Sequence, residues 1–114
     1  MTLPHQRLDA DLSVAPQLAP EAMAEAAAAG FKSIINNRPD FEGGPTQPTH
    51  AAIEAAARAA GLEYAFLPVA GNFQSTEEIA RFGALLESMP KPVLAFCRTG
   101  TRSGRLWQAA KGQV

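Results

Sequence analysis

Val93-Leu94-Ala95-Phe96-Cys97-Arg98-Thr99-Gly100-Thr101-Arg102-Ser103-Gly104 is the stretch whose reading decides the fold. Its first four residues are wholly apolar, as a strand buried on both faces of a parallel sheet requires. Pro90-Lys91-Pro92 breaks the chain before it, and a helical segment follows it to about Lys111. A buried strand passing through a short glycine-containing loop into a helix belongs to an open α/β sheet, where ligands bind beyond the carboxyl ends of the strands. Cys97 stands at such an end.

Working outward, the rest of the chain alternates in the same way. Leu12-Ser13-Val14 reads as a first strand. Pro20 to Ala29 reads as an alanine-rich helix, with Pro20 suited to its first position and Gly30 to its close. Phe31 to Asn36 is a β-rich apolar run, and Asn37 to Gln47 a polar loop dense in Gly and Pro. Pro48 to Ala60 is a second helix closed by Gly61, and Leu62 to Val69 the next strand. Ser75-Thr76-Glu77-Glu78 matches the capping box and opens a third helix to about Met89. The order β-α-β-α-β-α-β-loop-α with right-handed crossovers predicts an α/β fold: a parallel sheet of about four strands flanked by helices.

Size and composition fit one domain spanning 1–114. The chain has 114 residues, 46% of them hydrophobic and 18% charged, within the globular range. A net charge of −1 offers no basic footprint for nucleic acid and no polybasic membrane patch. No apolar run approaches the roughly 20 residues of a membrane span. The opening Met1-Thr2-Leu3-Pro4-His5 lacks the charged and apolar regions of a signal peptide. One cysteine cannot make an internal disulfide, so a cytoplasmic setting is expected. One Cys with His5 and His50 is too little for a structural zinc site, and no metal or cofactor is implied.

The cysteine loop carries the chemistry. Free N–H groups and the dipole at a helix N-terminus favour an anion. Gly100 lets the backbone curl so that the amides around Thr99 and Thr101 turn inward as a nest. Arg98 and Arg102 add positive charge, and an arginine fork grips a tetrahedral oxyanion bidentately. The same field favours the nucleophilic thiolate of Cys97. Ser103 is placed to donate a hydrogen bond to that thiolate or to a leaving sulfur. A lone cysteine is usually just a small buried apolar residue. That alternative has to explain Cys, Gly and two Arg gathered between a buried strand and a helix.

The chain resembles the phosphatase-like domain of beta-lactamase-hydrolase-like proteins, a bacterial family. The resemblance rests on Ser13-Val14-Ala15-Pro16-Gln17-Leu18, Gly30-Phe31, Ile34-Ile35-Asn36-Asn37-Arg38-Pro39-Asp40, Pro68-Val69 and the Cys97 loop. It implies a protein tyrosine or dual-specificity phosphatase-like fold, with Cys97 as nucleophile and Arg102 as the anion-gripping arginine. It also implies a metallo-hydrolase or sulfur-metabolism partner, fused or separate. Three features depart from protein phosphatases. The spacing from Cys97 to Arg102 is one residue shorter, Phe96 replaces the usual histidine, and Ala70-Gly71-Asn72-Phe73-Gln74 lacks the aspartate acid. The loop Cys97-Arg98-Thr99-Gly100-Thr101-Arg102-Ser103 is also similar to the active loop of rhodanese sulfurtransferases, which carry a persulfide and need no general acid.

Three functions follow: a cysteine-dependent phosphatase-like hydrolase, a sulfurtransferase carrying a persulfide on Cys97, and a non-catalytic anion-binding module. The substrate is expected to be a small-molecule or protein oxyanion, or a sulfane-sulfur donor. Asp40 and Glu42 read as solvated loop carboxylates, with Asp40 the best substitute acid. Arg38 either extends the anion site or pairs with one of them. His50 is expected at the surface in the first turn of the second helix, Trp107 in core or interface, and Asn72 and Phe73 at the rim of the pocket.

Overall fold

The computed structural model describes residues 3–112. Met1 and Thr2, which belong to the segment read above for a leader, lie outside it, as do Gln113 and Val114. The elements are β1 (Gln6–Arg7), β2 (Leu12–Ala15), α1 (Ala22–Ala28), β3 (Ser33–Asn36), α2 (His50–Ala59), β4 (Glu63–Phe66), α3 (Thr76–Ser88), β5 (Val93–Phe96) and α4 (Thr101–Lys111).

The sheet order is β1-β2-β5-β3-β4. β5 lies at the centre, parallel to β2 on one side and β3 on the other, and β4 extends the parallel set. The apolar reading of Val93–Phe96 thus matches a strand with all four residues buried. Alternation along the strands feeds two cores. Ile34, Leu94 and Phe96 pack with Met23, Ala26, Ile53 and Ala57 under α1 and α2. Ile35, Val93 and Ala95 pack with Phe82 and Leu106 under α3 and α4. Period-two side chains on a sheet covered on both faces produce this division.

The sheet has five strands where about four were expected. β1 pairs antiparallel with β2, Gln6 opposite Val14 and Arg7 opposite Ser13. Two exposed polar residues leave no hydrophobic period to read. The pairing rests instead on a turn in which Asp9 Oδ1 accepts from the amides of Asp11 and Leu12 at 2.7 and 2.9 Å. The first two helices start later than expected. Pro20 lies in a turn before α1, its carbonyl accepting from Met23 N–H. Thr49 caps α2 by accepting from Ala52 N–H. The capping box of α3 forms in full, Ser75 and Glu78 each accepting the other's amide.

The registers matter for function. Ala15 and Asn36 both lie opposite Phe96, so β2, β5 and β3 end together. The segment after β5 therefore emerges between two neighbouring strand ends. No helix among the described residues is long and apolar enough to cross a membrane.

Candidate active site

The cysteine loop is built from the end of β5. The Cys97 amide donates to Ala15 O at 3.3 Å, and Arg98 O accepts from Gln17 N–H at 3.2 Å, which lays the loop across the end of β2. Gly100 has φ +94, a left-handed conformation costly for residues with a Cβ. This curl aims the Gly100 N–H at Cys97 Sγ, 3.0 Å away, immediately before α4 begins. A Cβ on Gly100 would also lie 3.4 Å from the Ala15 carbonyl carbon. The sulfur therefore has an N–H donor and the positive end of α4 beside it. Cys97 is buried, at 1% exposure. Thr99 and Thr101 are exposed, their hydroxyls 3.2 Å apart, and Arg98 is exposed.

Ser103 departs from its expected role. Its buried hydroxyl donates to Asn37 Oδ1 at 2.8 Å rather than to the sulfur. Asn37 is fully buried and ties four segments together. Its amide donates to Phe96 O, its side chain to Leu67 O at 3.0 Å, and its carbonyl accepts from Val69 N–H. The pair fixes the start of α4 against the ends of β3 and β5 and the chain leaving β4. Burial obliges such groups to be partnered. Asn37 was not read as a site residue; an amide directly after an apolar strand was the available signal.

Arg102 is nine-tenths buried. Its Nη1 donates to Glu42 Oε2 at 3.1 Å and to Val69 O at 3.0 Å, and its Nη2 to Glu42 Oε1 at 3.1 Å. Its Nε is buried without a partner. The terminal edge of the guanidinium is therefore occupied, while the edge shared by Nε and Nη2 keeps an unspent donor. The 70–74 loop supports this seat: Gln74 Nε2 donates to Arg102 O at 3.1 Å. A Cβ on Gly71 would lie 3.0 Å from Arg102 Nη2.

Glu42 is not the solvated carboxylate expected. It also accepts from Arg38 Nε at 2.9 Å, so one carboxylate joins two arginines. Burial pushes its carboxyl up, but hydrogen bonds and charge from Arg102 and Arg38 outweigh that and hold it below its ordinary value of 4.5. Arg38 pairs with Glu42 and donates through Nη1 to Gln17 Oε1 at 3.2 Å. Gly43 leaves room for it, since a Cβ there would come within 2.7 Å of Arg38 Nη2.

Asp40 is turned elsewhere. Its Oδ1 accepts from His50 N–H at 2.8 Å, serving the start of α2, and its Oδ2 lies 3.9 Å from His50 Nε2. The His50 ring stacks on Phe66 with centroids 4.0 Å apart. Trp107 packs partly buried against the core under α3 and α4.

A cavity of about 710 Å³ gathers much of this charge. Its walls are Arg38, Arg98, Arg102 and Glu42, with Gly43, Gly71 and Asn72. Arg38, Arg98 and Arg102 are thus brought together. Asp40 and the buried thiol of Cys97 are not among its walls. Three guanidinium groups against one carboxylate suit an anionic ligand.

The profile described as "Beta-lactamase hydrolase-like protein, phosphatase-like domain" matches residues 5–113. A beta-lactamase hydrolase-like protein of Agrobacterium fabrum is 39% identical over 111 residues, covering 95% of this chain and 26% of that protein. The chain thus spans about a quarter of that relative's length. Among solved structures, a phosphatase candidate of Neisseria meningitidis Z2491 superposes with a TM-score of 0.85 at 37% identity, over 94% of this chain and 78% of that one. The core catalytic domain of a PP-IP phosphatase from S. cerevisiae, solved with citrate, superposes with a TM-score of 0.71 over 92% of this chain and 64% of that one. At 14% identity that likeness concerns the fold alone, which is phosphatase-like as the resemblance implied.

Proposed function

This chain belongs to the family of phosphatase-like domains of beta-lactamase hydrolase-like proteins, and from that premise we propose that it is a phosphatase-like hydrolase with Cys97 as nucleophile. The observation that carries the reading is the unspent Nε–H of Arg102. It is a buried donor on an arginine whose other edge is already held by Glu42 and Val69 O. A buried donor left unpaired costs about 1–3 kcal/mol, which an arriving oxyanion would recover. Glu42 is then a positioning residue.

In this mechanism the Cys97 thiolate attacks phosphorus. An S–P bond forms as the bond to the leaving oxygen breaks, and the electron pair departs on that oxygen. Arg102, Arg98 and the amides of the cysteine loop hold the equatorial oxygens. Water then attacks phosphorus, the S–P bond breaks and the thiolate returns. Because Cys97 is buried, the cysteine loop must open before attack. Ser103 acts through Asn37 on the placement of α4 and does not touch the sulfur. Glu42 is the carboxylate on the cavity wall, and because its pKa is held below the ordinary 4.5 it has no proton to give at neutral pH. The reaction therefore favours leaving groups stable as anions, such as phenolates.

A second reading, sulfur transfer, draws support from the same shortage of an acid and from the short Cys97-to-Arg102 spacing. Thiosulfate would give up its sulfane sulfur to the thiolate and release sulfite, leaving a Cys97 persulfide with no proton required. Mass spectrometry of Cys97 after separate exposure to an aryl phosphate and to thiosulfate separates the two. Gain of a phosphoryl group supports the hydrolase and gain of one sulfur atom the transferase. Gain of neither, with anion binding intact, leaves a binding module.

A further inference from the structure

The large apolar side chains that stand most open to water among the described residues are Phe41, at 67% exposure, and Phe73, at 68%. Their positions are related. Each directly precedes a residue bonded to Arg102. Glu42 takes its guanidinium, and Gln74 donates to its carbonyl. Each also adjoins walls of the arginine-lined cavity: Glu42 and Gly43 follow Phe41, and Gly71 and Asn72 lead to Phe73. The two rings therefore belong to the two loops that clasp Arg102.

Phe41 carries a second mark. Its φ is 64, the one positive value at a non-glycine residue among the described residues. That conformation is a genuine outlier for a bulky side chain, and such outliers gather at ligand sites. Neither ring is itself a wall of the cavity, but both stand exposed on the two loops that supply its walls, and exposed aromatics beside a charged cavity mark a binding surface. A flat apolar body lying against a phenyl ring gains from its area and from ring stacking.

Resting on the reading of the cavity as an anion site, we infer that Phe41 and Phe73 form an apolar collar selecting oxyanions borne on an aryl or similarly flat body over inorganic or short alkyl oxyanions. The arginines supply the charge that any oxyanion needs, and the collar supplies the discrimination. A protein partner docking on the same rings is the competing occupant. The three arginines gathered beside the collar favour the small anion.

Binding of benzylphosphonate and methylphosphonate, neither of which carries a cleavable P–O ester, tests this by NMR titration of the whole chain. Benzylphosphonate is expected to bind about tenfold more tightly, the gain from covering part of a ring. Phe41→Ala and Phe73→Ala should each cut that preference at least threefold and leave methylphosphonate affinity unchanged. Both substitutions are at exposed positions, and the dispersion of the amide spectrum reports the fold directly. Equal affinities in the unaltered chain, or a preference untouched by both substitutions, overturn the collar and leave the rings to a protein partner. Failure of both phosphonates to bind, or binding indifferent to Arg102→Ala, instead overturns the anion site on which the collar rests.

Discussion

The cysteine loop, 97–103, and the loop after β3, 37–47, both bring charge to one cavity, but they are held in different ways. The first is shaped locally. A central strand, a left-handed glycine and a helix start follow one another, and the Gly100 amide reaches Cys97 Sγ three residues away. The second is shaped by distant contacts. Glu42 meets Arg102 across 60 positions of sequence, and Arg38 meets Gln17 across 21. The cysteine is thus placed by backbone geometry, while Arg102 is aimed by a carboxylate on another loop. Substitutions in the two loops should fail differently.

Breaking the first loop has the largest effect. Cys97→Ser replaces the thiol with a hydroxyl, a far weaker nucleophile, in the same space. Covalent labelling of position 97 and any turnover of an aryl phosphate should fall to background, while the melting temperature changes little. Turnover that survives this substitution would refute a cysteine mechanism. Arg102→Lys comes next. It keeps the charge but loses the planar fork and the unspent Nε. Phosphonate affinity should drop about tenfold, on the scale of one charge-assisted hydrogen bond. A lysine variant that binds like the parent would show that charge alone matters.

The same contrast explains what could be read in advance. The parallel α/β sheet, the capping box at Ser75, the site of Cys97 and the grouping of Arg98 with Arg102 follow from periodicity, turn chemistry and short spacing. β1 escaped because two exposed residues carry no period, and its hairpin depends on the Asp9 carboxylate. Glu42 looked like any solvated loop acid, since its partner arginine is close only after α4 packs on the sheet. Ser103 reads as the last residue of the loop, whereas α4 begins at Thr101 and includes it, and the choice between Cys97 and Asn37 as its acceptor is made by the end of β3. Contacts within a few residues were legible; contacts between loops were not.

Glu42→Gln sharpens the comparison at a smaller scale. The folded carboxyl titrates below its ordinary value of 4.5, so its ion pairs stabilise the fold fully above that value and lose their effect as pH falls through the folded value. Glutamine keeps an acceptor but removes the charge. The substitution should cost about 1 kcal/mol near pH 7, at the upper end for partly exposed pairs because both arginines are largely buried. That corresponds to roughly 4 °C in melting temperature. Parent and variant should converge as the pH falls below 4.5 and through the folded value. A gap that stays constant from neutral to acid pH would mean that Glu42 acts through shape alone.

Asp40→Asn is expected to do least, and for that reason it decides most about the second loop. Asp40 lies two residues from Glu42 yet points to the start of α2, where its Oδ1 accepts the His50 amide. Asparagine keeps a side-chain oxygen that can accept the His50 amide, so the hydrogen bond survives. Only a small interaction with the positive end of α2 is lost, about 0.3–1 kcal/mol. An amide cannot deliver a proton, however. Were Asp40 the general acid, the variant would keep its melting temperature within a few degrees and lose about 10²–10⁴-fold in turnover, most with poor leaving groups. The engagement of Asp40 with His50 and its absence from the cavity wall predict the opposite outcome. Turnover of an activated aryl phosphate should stay within about twofold of the parent, because the missing interaction belongs to the helix and not to the reacting oxygen.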